Sequence, residues 1–264
     1  MIPRTSHDSS KTLHLCLVMV CLAVFAVPAF AETTNVVIRD NVPIAKRDEL
    51  IRTLRSITGF QNLRFDAQGG LQLGANYDKG STIARALLSR AVSGDKVVVI
   101  EDASGRADVA FCRVVPGRWR TDRDTKVSAF VVLVDFSDFR KIVGDDEARA
   151  AFDVGWGFLH ELDHVVSDST DAEEQGKLGE CEKHINEMRL EVGLPVRVDY
   201  FFTQSSLRPD PNFGNKLVKL AFEQYDHETS RKKRYWLVWD SNAVGGLLAK
   251  TQTAMVRAAP KTKN

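Results

Sequence analysis

His160-Glu161-Leu162-Asp163-His164 sets two imidazoles four residues apart with a carboxylate directly after the first. On a helix these histidines lie about 40° apart around the axis, so both rings project from one face. Two neutral imidazoles can share one Zn²⁺ at about 2.0–2.1 Å each. Glu161 sits about 100° round from His160, where it can reach a water beside the metal but not the metal itself. A carboxylate in that position can act as general base on a water whose pKa the metal has lowered.

A rigid helix must carry such a site, and the surrounding sequence supplies one. Ala148, Ala151, Phe152, Trp156, Leu159 and Val166 recur on one side of a helix predicted from Asp145 to about Val166. A polar loop, Ser167–Gly179, follows. A second helix is predicted over Glu180–Val192, with the apolar stripe Cys181, Ile185, Met188 and Val192 and with Gly193 and Pro195 at its end.

Upstream, helices are predicted at Lys46–Thr58 and Ser81–Val92, the second capped by Ser81 and stopped by Gly94. Strands are predicted at Lys96–Ile100, Val109–Val115 and Val127–Asp135, with Arg118–Lys126 as an exposed hairpin loop. Downstream, a helix at Lys216–Tyr225 and a strand at Tyr235–Trp239 flank the basic run Arg231–Arg234.

The pentad resembles the active-site motif of the zincin metallopeptidases over Phe152 to about Leu194. The extension of one zincin branch would need Gly at 167 and His at 170, where this chain has Ser167 and Thr170. The remaining likeness is to the glutamate-zincin arrangement, in which a downstream helix supplies an acidic third ligand. Its usual Asn-Glu-x-x-Ser-Asp motif is reduced here to Asn186-Glu187.

The resemblance implies an α+β, zincin-like fold: a small, mostly antiparallel sheet packed on the motif helix and on a second, ligand-bearing helix. It also implies Zn²⁺ held by His160, His164 and a third residue, with Glu161 catalytic. Glu182 and His184 each flank the apolar stripe, about 80° from its centre. The family's habit favours Glu182, with Asn186 and Arg189 beside it, and leaves His184 and Glu180 as alternatives. Val127–Asp135 fits the edge strand that, in zincins, pairs with an extended peptide. Tyr200, Tyr225, His227 and Arg197 are oxyanion-stabilising candidates by residue type only.

Composition limits the partners. In 264 residues, 36 Lys and Arg stand against 35 Asp and Glu, so nothing favours a nucleic-acid partner. Arg4 and Lys11, the apolar run Leu13–Val27 and Ala29-Phe30-Ala31 form a secretory signal with cleavage expected after Ala31. Residues 32–264 would then be a single domain, in which 32–74 could form an N-terminal subdomain. A periplasmic or secreted protein without a stable membrane anchor is expected.

Export would leave Cys112 and Cys181, either as a disulfide or as two buried thiols. The leading expectation is a zinc metallopeptidase acting on a peptide or protein substrate. Its rivals are a zinc hydrolase of a non-peptide amide or ester, and a non-catalytic domain that zinc only stabilises.

Overall fold

The computed structural model describes residues 34–120, 126–174, 176–199, 203–206, 216–226 and 228–245. In chain order these form β1 (Val36–Ile38), α1 (Ile44–Thr58), β2 (Arg64–Phe65), β3 (Leu71–Gln72), α2 (Thr82–Ser93), β4 (Val97–Asp102), β5 (Cys112–Arg120) and β6 (Lys126–Val134). They continue as β7 (Val143–Gly144), α3 (Asp146–Ala150), α4 (Val154–Ser167), α5 (Glu180–Glu191), β8 (Val196–Arg197), β9 (Thr203–Ser206), β10 (Lys216–Asp226) and β11 (Arg231–Asp240). The predicted signal, Met1–Ala31, lies outside the described residues. Among the described residues, no helix is long and apolar enough to cross a membrane.

The chain is α+β, with five helices and small sheets among its described residues. The sheet beside the motif helix has the order β1-β4-β6-β5. It corrects the expectation of a mostly antiparallel sheet, because β1, β4 and β6 run parallel and only β5 opposes its neighbour. Parallel strands commonly join through helical crossovers that bury a face, and α1 and α2 supply the one between β1 and β4, while β4 reaches β6 through β5.

Val98, Ile100, Val132 and Val134 point into one core with Leu50, Leu54, Leu87 and Leu88 and with Trp156, Leu159 and Leu162 of α4. Val99, Val131 and Leu133 alternate onto the other face. A run apolar on both faces suits an interior strand. Val127–Asp135 therefore lies in the interior strand β6, and the edge strand beside α4 is β5. That strand also continues through Pro116-Gly117 to Arg120, past its predicted end at Val115 and into the predicted loop.

The second sheet, β7-β11-β10-β8 with β9 beside β10, is antiparallel throughout. It replaces the helix expected at Lys216–Tyr225. Val218, Leu220 and Phe222 alternate inward on β10, facing Tyr235, Leu237 and Trp239 of β11. Ten paired residues and a two-residue apolar period outweigh the helix propensity of Lys, Leu and Glu in this stretch.

The predicted Asp145–Val166 helix is broken in two. Asp153 takes an extended conformation, and its carboxylate accepts from the amides of Gly155 (2.8 Å) and Trp156 (3.1 Å), starting α4 afresh. Burial pushes this carboxyl up to about 6, against the lowering effect of the capping amides and Arg189. The folded chain thus binds the proton more tightly than the unfolded chain, and stability from this residue falls as pH rises from about 4 through 6.

Asp153→Asn keeps an equivalent cap without the charge, so its melting temperature should fall less than wild type across that window. Asp153→Ala should lose about 1 kcal/mol. Parallel melting profiles for wild type and Asp153→Asn would contradict this assignment.

Candidate metal centre

Helix α4 carries its apolar residues against the core and leaves His160, Glu161 and His164 on the flank facing β5 and α5. Gly157, one turn before His160 and Glu161, lets the helix sit close. A Cβ there would stand 2.9 Å from both Cys112 Sγ and the Phe139 ring.

The two imidazoles are aimed from behind. His164 Nδ1 lies 2.8 Å from the Ser169 carbonyl, which can only accept, so in the neutral ring Nε2 keeps its lone pair. His160 Nδ1 faces Glu182 Oε2 at 3.4 Å, with the same consequence for its Nε2. The two Nε2 atoms converge to 3.3 Å.

Asp171 Oδ1 completes a triangle, 3.1 Å from His160 Nε2 and 3.4 Å from His164 Nε2. Donors at the usual zinc distances and tetrahedral angles are separated by about 3.3–3.5 Å. Cys181 Sγ joins them, and all four donor atoms lie within 4.8 Å of one another. This His160/His164/Asp171/Cys181 group could hold a metal ion.

The electrostatics also call for a cation. Burial would lower both histidine pKa values, yet Asp171 and Cys181 outweigh it, raising His160 well above its ordinary value and His164 to about 11. Protons on both rings would oppose two like charges 3.3 Å apart. A divalent cation held among these donors would relieve that repulsion.

Asp171 reaches the site because α4 ends in a left-handed residue, Asp168 (φ 56°), which turns the chain back. Ser167 and Ser169 hydroxyls both donate to the Asp163 carboxylate at 2.7 Å, and His184 Nδ1 meets it at 2.9 Å. The loop then passes against the start of α5. A Cβ on Gly179 would lie 2.4 Å from backbone atoms of Asp171 and Ala172.

Glu182, the expected third ligand, is not one of the four donors. It is 1% exposed, with Oε1 held by Arg189 and Oε2 3.0 Å from Arg197 Nη1. Burial would raise its carboxyl, but the two guanidinium groups and His160 hold it well below the usual range. Glu182 therefore orients His160 and links it through Arg197 to β8 and the second sheet.

Of the alternatives, His184 pairs with Asp163 and Glu180 is exposed. Among the oxyanion candidates, Arg197 is committed to Glu182 and Tyr225 is exposed on β10. Tyr200 and His227 lie outside the described residues. Cys112 and Cys181 are free thiols.

Glu182→Ala would leave Arg189 and Arg197 buried without their carboxylate. A stability loss of about 3–5 kcal/mol is expected in denaturant unfolding; a loss below about 1 kcal/mol would contradict the role given to Glu182.

Glu161 stands beside the donor group. Its Oε2 accepts from the Val114 amide of the edge strand at 2.8 Å, and burial raises its pKa against the lowering effect of His160 and His164. N–H groups alternate in direction along an antiparallel strand. The next one on that edge would belong to residue 116, which is proline and has none.

A cavity of about 550 Å³ beside α1 and β2, walled by Arg47, Arg52, Arg55 and Arg64, shares no residue with the metal group. Compared with protein-family models, curated proteins and solved structures, the chain matches none.

Proposed function

We propose that this chain is an exported, zinc-dependent peptidase of zincin-like architecture. The observation that carries the reading is the donor triangle of His160, His164 and Asp171, with edges of 3.1–3.4 Å, standing beside the half-buried carboxylate of Glu161. Bound there, zinc would polarise a substrate carbonyl and acidify a water.

The chain's own residues supply the rest. His160, His164 and Asp171 hold the ion, while Glu182 and the Ser169 carbonyl fix the two rings. Glu161 takes the proton from the attacking water and returns it to the leaving amine. Its raised pKa suits a group that must both accept and donate. The antiparallel edge strand β5 offers outward carbonyls to an extended peptide, and its position beside α4 supports a peptide over a small ester. The expected signal at Met1–Ala31 supports a periplasmic or secreted location.

Cys181 favours a second reading. Four protein donors make a closed site, in which zinc only stabilises the fold. Assaying zinc-loaded protein on a broad peptide library separates the two. Cleavage that chelation abolishes and zinc restores supports the peptidase; zinc binding with no cleavage supports the structural site.

A further inference from the structure

We infer that the Cys181 thiolate is the fourth donor, closing the metal site at rest, and that the enzyme works only when Sγ withdraws and water takes its place. This rests on the zinc site proposed above and concerns its regulation.

Two independent features carry the inference. The first is position. Cys181 is fully buried, and its Sγ lies within 4.8 Å of the His160, His164 and Asp171 donors. As a thiol it donates to the His160 carbonyl at 3.3 Å; a coordinated thiol loses that proton. Its amide bonds the Thr170 carbonyl at 3.2 Å, so Cys181 and the Asp171 loop are tied together at the start of α5.

The second feature is Glu161. Its Oε2 is taken up by the Val114 amide at 2.8 Å, on the edge a peptide would use. A general base bonded to its own edge strand, beside four converging protein donors, describes a resting arrangement. Opening requires α5 to carry Sγ away from the group and Glu161 to release Val114.

The test uses Co²⁺ as the probe in the full-length mature protein. Wild type should bind about one cobalt per chain and show a thiolate-to-metal charge-transfer band in the near ultraviolet. Its visible spectrum should not respond to azide. Cys181→Ala should retain cobalt, lose the band and respond to azide through its open position.

Cobalt binding without the band would overturn the inference and leave the proposed function standing. A band together with an azide response in wild type would overturn the closed resting state. Failure of wild type to bind cobalt would overturn the inference and the proposed function together. If Cys181→Ala fails to fold, the wild-type spectra decide the question alone.

Discussion

Glu161→Gln should bind zinc as wild type does and lose about 10²–10⁴-fold in peptide hydrolysis. The amide oxygen of Gln can still accept from the Val114 amide, so the anchor between α4 and β5 survives. Burial disfavours the charge on Glu161, so a neutral isostere should not destabilise the fold. What the variant loses is a group able to take a proton from water and pass it to an amine. Unchanged turnover in Glu161→Gln would remove Glu161 from the chemistry and leave the metal site intact.

The second large effect separates a metal ligand from its support. Asp171→Ala removes an oxygen 3.1 and 3.4 Å from the two Nε2 atoms, and zinc affinity should fall by more than about 100-fold. Loss of a residue that only orients a ligand typically costs 10–100-fold, and Glu182→Gln should fall within that range. The order of the two effects is the result to read from a zinc titration with a competing chelator. A larger loss in Glu182→Gln than in Asp171→Ala would restore Glu182 as the third ligand.

The pentad was legible in the sequence because its chemistry depends only on helical spacing, and α4 does form there. Asp171 was not legible. Its place depends on a left-handed turn at Asp168, a carboxylate clamp by Asp163 and the close pass of Gly179, none of which leaves a local pattern. An aspartate seven residues after His164, in a short polar loop, is the only hint. Cys181 falls on the apolar stripe of α5, as helical spacing predicts; its nearness to the donor group depends on how α5 meets α4.

Glu182 flanks that stripe as helical geometry requires, but the polar row beside it is buried. Arg189 and Arg197 neutralise its carboxylate before any metal could. The fold shows the same division between local and tertiary control. Ser81 and Gly94 bound their helix as written. The interior place of β6 depends on pairing with β4, about 30 residues earlier, and the strand at Lys216–Asp226 depends on its ten-residue pairing with β11.

Everything proposed for this chain depends on His160, His164 and Asp171 holding one zinc ion. Calorimetric titration of zinc into chelator-stripped protein tests it most directly. One tight site per chain is expected, absent when His160 and His164 are both alanine. Heat no greater in wild type than in the double variant would contradict it.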